Sequence, residues 1–502
     1  MNIQSPNAQM SPVGLPNEVK LGNLDFSLPP DARSTSVKIQ PSNIAQVQSP
    51  TLQTGALTAT AGSGSTGVEL SFPIQNLIFD IPAGASPSQF IDTRFSTLNF
   101  RLQIDVSTAA STAITNVALR SHANSFFDRQ YTIAQNGNIV EDLTEYGLLN
   151  DTLINLQMNN AVRDGCALQY GFDPSSSANT SQGLPLPVLA GTSTGSETHS
   201  FSVPLVNSLI GVTADKFFNI GRTSKLQVVF QTAGILPITI DNAGGTTLTG
   251  SGVNFKVTLL DFSLQLEYID IGLNALRMLD ETLVSGVAYN HGISYRTASM
   301  SLPASSSGQQ TLLAGIRASS VKSLFARFQE TGVTNNKVSL NGKFDSKNPS
   351  INALNFNIGG VRYPQVPINP LVNPSQAFRE LQMAIGAFNS TQFQSSIVPA
   401  RYCVLSAGGT VSTATTTAGT QAYDYQNNTT SATAQSSFIF GENVEVCAKR
   451  GVMSGLNCTS APIFLEANIS VANTNTHNVY VQGMIDVIYV HNVSTGDVQV
   501  RM

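Results

Sequence analysis

Charge is scarce in this sequence. Asp, Glu, Lys and Arg make up 11% of its 502 residues, well under the roughly 25% usual for soluble domains. Ser, Thr, Asn, Gln and Gly take their place. A surface so weakly charged repels copies of itself poorly and suits a chain packed against neighbours. A secreted or extracellular β-protein with a Ser/Thr-rich exterior is the plainer alternative. The net charge of −5 comes with no Arg/Lys cluster, so the footprint of direct nucleic-acid binding is missing. Tryptophan is absent. The four cysteines, Cys166, Cys403, Cys447 and Cys458, form no CxxC, and no disulfide framework is implied. Cys447 and Cys458 are close enough in sequence to pair, but free buried thiols are the simpler reading. The five histidines, His122, His199, His291, His477 and His491, show no HxH or HExxH spacing, so no metal site is expected. Apolar runs such as MIDVIYV (Met484–Val490) fall far short of the ~20 residues that span a bilayer. The N-terminus has no basic, apolar leader. The chain is expected to be soluble and made in the cytoplasm.

What is present is mostly strand. Residues 1–65 are rich in Pro, Ser, Gln, Asn and Thr and read as an extended arm that a partner must hold. From Val68 onward, "VELSFPIQNLIFDIP", "STLNFRLQIDV" and "FFDRQYTIAQNGNIVEDL" alternate apolar and polar residues. Asn136-Gly137 inside the last is a hairpin turn signal. Tyr146, Leu149, Leu153 and Leu156 then fall on one face of a helical period. A polar loop (about 170–197) leads into "HSFSVPLVNSLIGVTADKFFNIG", His199–Gly221. Two long strand segments follow, and "NALRMLDETLVSG" reads as a helical connector.

The second half repeats the order. Strands come first, then a Gly-Gly turn in "INALNFNIGGVRYPQV", then a helix in "NPSQAFRELQMAIGAF". Asn373 is the expected N-cap and Pro374 the first helical residue. Phe378, Leu381, Ile385 and Phe388 form the expected apolar face. A Thr/Ala-rich loop (about 406–436) leads to "SSFIFGENVEVCAKRGVMSGLNCTS" and two last strands. We read two copies of one β-fold in tandem. The expected architecture is all-β: two tandem eight-stranded jelly rolls, each with a short helix and long inter-strand loops. The expected boundaries are 1–65 for the arm, 66–275 for the first jelly roll, 276–290 for the connector and 291–502 for the second.

On these residues the chain resembles the double jelly-roll major capsid proteins of the adenovirus hexon, tectivirus, virophage and polinton-like virus lineage. Three stretches carry the likeness: "SFFDRQYTIAQNGNIVEDLTEYGLLNDTL", "SFSVPLVNSLIGVTADKFFNIGRTSKLQVVF" and the ending from "SGLNCTSAPIFLEANI" through "VYVQGMIDVIYVHNVSTGDVQV". The chain departs from the better-known members in lacking Trp and in its long Ser/Thr-rich arm. The resemblance implies a homotrimer that makes a pseudo-hexagonal capsomer and tiles the icosahedral shell of a DNA virus. Long polar loops (170–197, 236–252, 406–436) would form its outer tower. Its partners would be itself, neighbouring capsomers, penton and minor capsid proteins, and an internal membrane reached by the arm. It would reside in the virion and use no cofactor.

Chemical motifs are weak. "GSGSTG" (Gly62–Gly67) matches GxGxxG, but a strand follows it where a dinucleotide site needs a helix. "GTSTG" (Gly191–Gly195) matches GxSxG but leads into a strand, and His199 lies too near Ser193 in sequence for the usual triad. Asp241 and Asp424 are lone acidic residues of turns. No catalytic, cofactor or metal residue is expected. The competing reading is a glycan-binding spike, fibre or adhesin built of β-sandwiches. The lack of Trp and the low aromatic content weaken sugar stacking there. A hydrolase reading rests only on the two weak motifs, and Ser193→Ala tests it.

The compact stretch after Val203 poses the sharpest question. It is expected to be a helical connection between two strands of the first jelly roll, with "IFGENVEVCAKRGVMSGLNC" as its counterpart in the second. Leu205, Leu209, Ile210, Phe217 and Phe218 should lie in or near a core. Asp215–Lys216 should form a local or inter-subunit ion pair.

Overall fold

The computed structural model describes residues 32–43, 74–108, 114–119, 121–134, 136–172, 185–186, 194–234, 237–242, 253–283, 286–331, 344, 346–386, 395–397, 402–403, 437–446, 453–473 and 475–501. The first half contributes β1 (Arg33–Ile39), β2 (Asn76–Ile81), β3 (Gln89–Thr108), β4 (Ile114–Leu119), β5 (Phe127–Ile133), β6 (Ile139–Thr144), β7 (Pro185–Leu186), β8 (Thr194–Pro204), β9 (Leu226–Thr232), β10 (Ile238–Asn242) and β11 (Val253–Asp270). Its helices are α1 (Tyr146–Gln157), α2 (Asn160–Gly165) and α3 (Ala167–Tyr170), and α4 (Gly272–Thr282) leads out of it. The second half contributes β12 (Val287–Leu302), β13 (Gly308–Ala314), β14 (Val321–Glu330), β15 (Ile351–Ile358), β16 (Val361–Ile368), α5 (Pro374–Ala384), β17 (Ile439–Asn443), β18 (Ile463–Ile469), β19 (His477–Asn492) and β20 (Asp497–Arg501).

Alternation builds these strands. In β2, Leu77, Phe79 and Ile81 are fully buried while their neighbours are not. The same period in β9 buries Leu226, Val228 and Phe230. Opposing rows then meet across a sandwich. Phe100 of β3 sits 5.5 Å from Phe127 of β5, edge to face, and Phe127 lies 5.4 Å from Phe230 of β9 in its own sheet. In the second half, Phe356 of β15 stacks on Phe440 of β17 at 5.6 Å. Such pairs add to the burial of large rings, which dominates core energetics.

All pairings between strands are antiparallel among the described residues, and the two halves share one topology. The first half forms sheets β1-β11-β3-β8 and β2-β9-β5-β6, and the second forms β12-β19-β14-β17 and β13-β18-β15-β16. Counting the eight main strands of each half in chain order, both halves read 1-8-3-6 and 2-7-4-5. That is a jelly roll, made twice. β20 adds to β19.

Three details differ from the sequence reading. Within the stretch read as an arm, Arg33–Ile39 form β1, which pairs with β11 along its whole length. The strand escapes a hydrophobicity scan because it is a sheet edge with Ser34, Thr35 and Ser36 exposed. Parts of the polar loops are ordered as a small extra sheet, β10-β4-β7. Helix α1 is not one-sided: every residue from Tyr146 to Leu156 is buried.

The turn chemistry behaves as expected. Gly137 takes φ +81° in the β5–β6 hairpin, and Gly359 and Gly360 take +58° and +91° between β15 and β16, a region open to glycine at no steric cost. Pro374 opens α5, but Asn373 makes no side-chain cap. A residue before proline is pushed out of helical geometry, and here only the Asn373 carbonyl serves, accepting from the Gln376 and Ala377 amides. Leu381 is buried, Phe378 and Ile385 pack at the core's margin, and Phe388 lies outside the described residues.

Candidate functional site

The most constructed part of the molecule is the junction between the two jelly rolls. The connection from β8 to β9, residues 205–225, lies at its centre. It consists of turns and isolated bridges rather than the expected helix. Asn207 sets the first turn. Its Oδ1 accepts from the amides of Leu209 and Ile210 at 3.0 and 2.9 Å, and its Nδ2 donates to Thr132 Oγ1 at 2.9 Å. An Asn that serves local amides in this way stabilises a non-helical turn.

Leu205, Leu209, Ile210 and Phe218 are buried, as the sequence indicates, but Phe217 is 38% exposed. The reason is pleat. Phe218 forms an antiparallel bridge with Ile91, so its neighbour faces out. Phe217 carries the Arg94 guanidinium 5.6 Å from its ring centre, and Arg94 is also held by Asp92 at 2.7 Å. Asp215 and Lys216 form no ion pair among the described residues. The Asp215 amide donates instead to the His291 carbonyl at 3.0 Å.

That bond starts the crossing into the second jelly roll. Ala214 bridges Gly292 of β12, and the Ile293 amide donates to the Thr213 carbonyl at 3.0 Å. The edge of β12 is thereby occupied. A Cβ on Gly292 would stand 2.2 Å from the Ser208 carbonyl oxygen, so the approach demands glycine. Ser208 is the next fastener. Its amide and hydroxyl both donate to the carboxyl of Glu141 on β6, and its Oγ lies 2.5 Å from the Tyr489 hydroxyl of β19. Arg296 of β12 donates to the Asp142 carbonyl at 2.8 Å. Burial pushes the Glu141 carboxyl up to about 7, against the lowering effect of the Ser208 hydrogen bonds. Burial and the neighbouring Glu141 together push the Tyr489 phenol well above its usual range.

Helix α1 enters the same junction from the other side. Its Asp151 carboxylate meets the fully buried Arg327 of β14 at 2.8 Å. Arg327 also donates to Thr152 Oγ1 at 3.0 Å and to the Phe344 carbonyl at 2.7 Å. Ser121 donates to the second Asp151 oxygen at 2.6 Å. Leu148 packs with Phe344 and Tyr480 of the second half. A buried pair of this kind adds little over a greasy contact, but losing one member strands a charge.

The counterpart connection, from β17 to β18, occupies the same place. Val321 of β14 bridges Leu456 as Ile91 of β3 bridges Phe218. Its polar groups differ. Asp486, fully buried, is held by His291 at 3.0 Å and by Ser320 at 2.6 Å. Burial raises its pKa, yet these bonds and the Lys322 charge leave it below the ordinary value. Lys322 also meets Glu445 at 2.9 Å.

The chemical motifs do not assemble. Gly62–Gly67, Ser193, Asp424 and Cys447 lie outside the described residues. Asp241 falls within β10 rather than a turn. His199 contacts Glu197 on its own strand, His122 caps a short turn through Nδ1, and His491 faces Thr223 and the Arg222 carbonyl. Cys166, Cys403 and Cys458 are free thiols. Among the described residues no group of His, Cys, Asp and Glu could hold a metal ion, and no helix is long and apolar enough to cross a membrane. A groove of about 910 Å³ runs over the β1-β11-β3-β8 sheet, where Asn99, Arg101, Gln169, Ser200, Ser202 and Asp261 line it.

Sequence reasoning missed Glu141, Ser208, Tyr489, Asp151 and Arg327. Asp151 sits between Asn150 and Thr152 on α1, Tyr489 stands in an apolar run, and none of the five carries a spacing signal in the sequence.

The class that this fold defines is the double jelly roll of viral major capsid proteins. No family model and no curated protein matches the sequence, but solved structures match over nearly the whole chain. A chain of the Sputnik virophage structure is 12% identical, covers 97% of this chain and 92% of its own, and gives a TM-score of 0.54. VP54 of PBCV-1, fitted into a reconstruction of Sputnik, is 9% identical over 94% and 97%, with a TM-score of 0.51. The mavirus major capsid protein is 13% identical over 100% and 95%, with a TM-score of 0.50.

Proposed function

We propose that the chain is a major capsid protein with a structural, non-catalytic role. Three copies join into a pseudo-hexagonal capsomer of six jelly rolls, and capsomers tile the icosahedral shell of a DNA virus. The observation that carries this reading is the pair of jelly rolls of identical topology, fastened side by side through a buried junction. A rigid pair of like units is a third of a six-unit ring, and closed rings are how such contacts saturate. Residues 1–65 outside β1 would reach along the inner side of the shell toward neighbouring capsomers, penton and minor proteins or a membrane. The protein would reside in the virion.

Native mass measurement tests the reading. A particle of three 53.2 kDa chains, hexagonal in negative stain, is the expected result. A stable monomer at micromolar concentration overturns it. The groove over the β1-β11-β3-β8 sheet supports one second reading, glycan binding at a β-sandwich face. Phe100, Phe201 and Phe262 border it but are buried, so it offers no aromatic platform for stacking. Glycan-array binding lost in Arg101→Ala, with no capsomer formed, would favour that reading instead.

A further inference from the structure

A second buried charged group lies at the end of β14, in the second jelly roll. Glu330 closes β14 and pairs in the ladder with His477, the first residue of β19. Lys347, in the connection from β14 to β15, donates from Nζ to Glu330 Oε2 at 3.1 Å. Asn475, in the connection from β18 to β19, donates from Nδ2 to Glu330 Oε1 at 2.9 Å. One carboxyl therefore touches both an amine and a side-chain amide that lie far apart in the sequence. The trio is not a demand of the fold, because the corresponding end pair in the first jelly roll is Thr108 and Val253.

The surroundings are dry. The Lys347 and Glu330 side chains are 7% and 2% exposed. Ser346, Asn348 and Ser350 beside Lys347 are buried, as are Phe328 of β14 and Val479 of β19. The Lys347 amide donates to the Phe328 carbonyl at 2.9 Å, which fixes the chain there. A lysine is seldom buried so fully, and a buried ion pair costs the hydration of both partners. Passing the proton from Lys347 to Glu330 removes both charges at once. His477 adds no charge near neutral pH, since burial pushes its imidazole pKa down against the pull of Glu330. The amine left behind is a nucleophile, and the Asn475 carboxamide on the same carboxyl is the electrophile beside it.

We propose that Lys347 and Asn475 join in an intramolecular isopeptide bond, with Glu330 as the catalytic acid and base. Lys347 Nζ attacks Asn475 Cγ and forms the new C–N bond. Glu330, in contact with both nitrogens, takes a proton from the attacking one and gives a proton to the leaving one. The Cγ–Nδ2 bond breaks and ammonia departs, so the step needs no oxidant and no co-reactant. The bond ties the approach to β15, in one sheet, to the approach to β19, in the other. It fastens the sandwich covalently at this end and does not depend on the capsomer reading.

Intact-mass spectrometry and peptide mapping of the full chain test this, beside Glu330→Gln and Asn475→Ala. Wild type should be lighter than its sequence by one ammonia and should yield a branched peptide joining Lys347 to Asn475. Both variants should keep the full mass of their own sequences and yield no branched peptide, with circular dichroism unchanged. Glu330→Gln keeps the shape of the carboxyl and cannot relay a proton. Asn475→Ala changes a half-buried residue and leaves the Lys347–Glu330 pair in place, so it still reads the bond if the first variant fails to fold. A wild type at full mass overturns the proposal. So does an ammonia lost from a ring closed at Asn136-Gly137, with Lys347 and Asn475 unlinked. A branched peptide that persists in Glu330→Gln overturns the role given to Glu330.

Discussion

Helices α1 and α5 leave their jelly rolls at the same point of the topology, yet they live in different surroundings. Helix α1 is buried along its length, and its polar residues Asn150, Asp151, Thr152 and Asn155 are buried with the rest. Helix α5 buries three small or apolar residues and leaves Arg379 in solvent. Topology therefore places the helix, and the neighbouring unit decides its chemistry. Where the other jelly roll covers the helix, its polar groups are buried; where none does, Arg379 and, just before the helix, Val372 stand in water.

The largest expected effect separates the two sites by charge. Arg327→Ala strands the Asp151 carboxylate in the interior and should cost about 3–5 kcal/mol. Arg379→Ala, on the exposed helix, should change stability by less than about 0.5 kcal/mol. Urea unfolding of both variants measures the difference, and equal losses would break the comparison. A similar contrast holds within the loop at the junction. Phe218→Ala empties a fully buried site and should cost about 3–5 kcal/mol, while Phe217→Ala removes a half-exposed ring over Arg94 and should cost about 1 kcal/mol or less.

A third effect is one of pH. In the folded chain Glu141 holds its proton up to about 7, against an ordinary 4.5. Between those values the folded state binds a proton that the unfolded state has released. Stability should therefore fall as pH rises from 4.5 to 7, by roughly 3 kcal/mol at most, and change little beyond. Glu141→Gln should flatten that slope in melts run from pH 5 to 8. Glu466 lies on the other side of the comparison, beside Arg362 of the edge strand β16. Hydrogen bonds from Asn357 and Asn355 and the Arg362 charge hold its carboxyl below the ordinary value, against a partial opposing effect of burial. Its contribution has the opposite sign and another window: it is fully present above 4.5 and is lost as pH falls below that value through the lowered folded pKa.

The fold was legible where one face of an element is apolar. The β5–β6 hairpin was readable because Asn136-Gly137 interrupts two alternating runs, and α5 because Pro374 precedes Leu381 at helical spacing. β1 was not, since an edge strand with Ser34, Thr35 and Ser36 exposed offers only Val37 and Ile39 as an apolar row. Nor could sequence separate Phe217 from Phe218, because a bridge to Ile91 decides which ring turns inward. The junction was the least legible part. Glu141 and Arg327 look like solvent-facing residues until a second unit, distant in sequence, covers them. Its position was still readable, because the order of elements repeats and places both connections at the same point.

The covalent link through α4 has a kinetic meaning. Arg222 grips Asp280 of that helix with both guanidinium arms, at 2.5 and 2.6 Å, and so ties the connector to the junction loop. The seam within the chain thus forms by folding, at a local concentration set by a short tether, and dilution cannot open it. If the capsomer proposed above forms, every second seam of its ring is closed before any collision, and it would come apart only between chains.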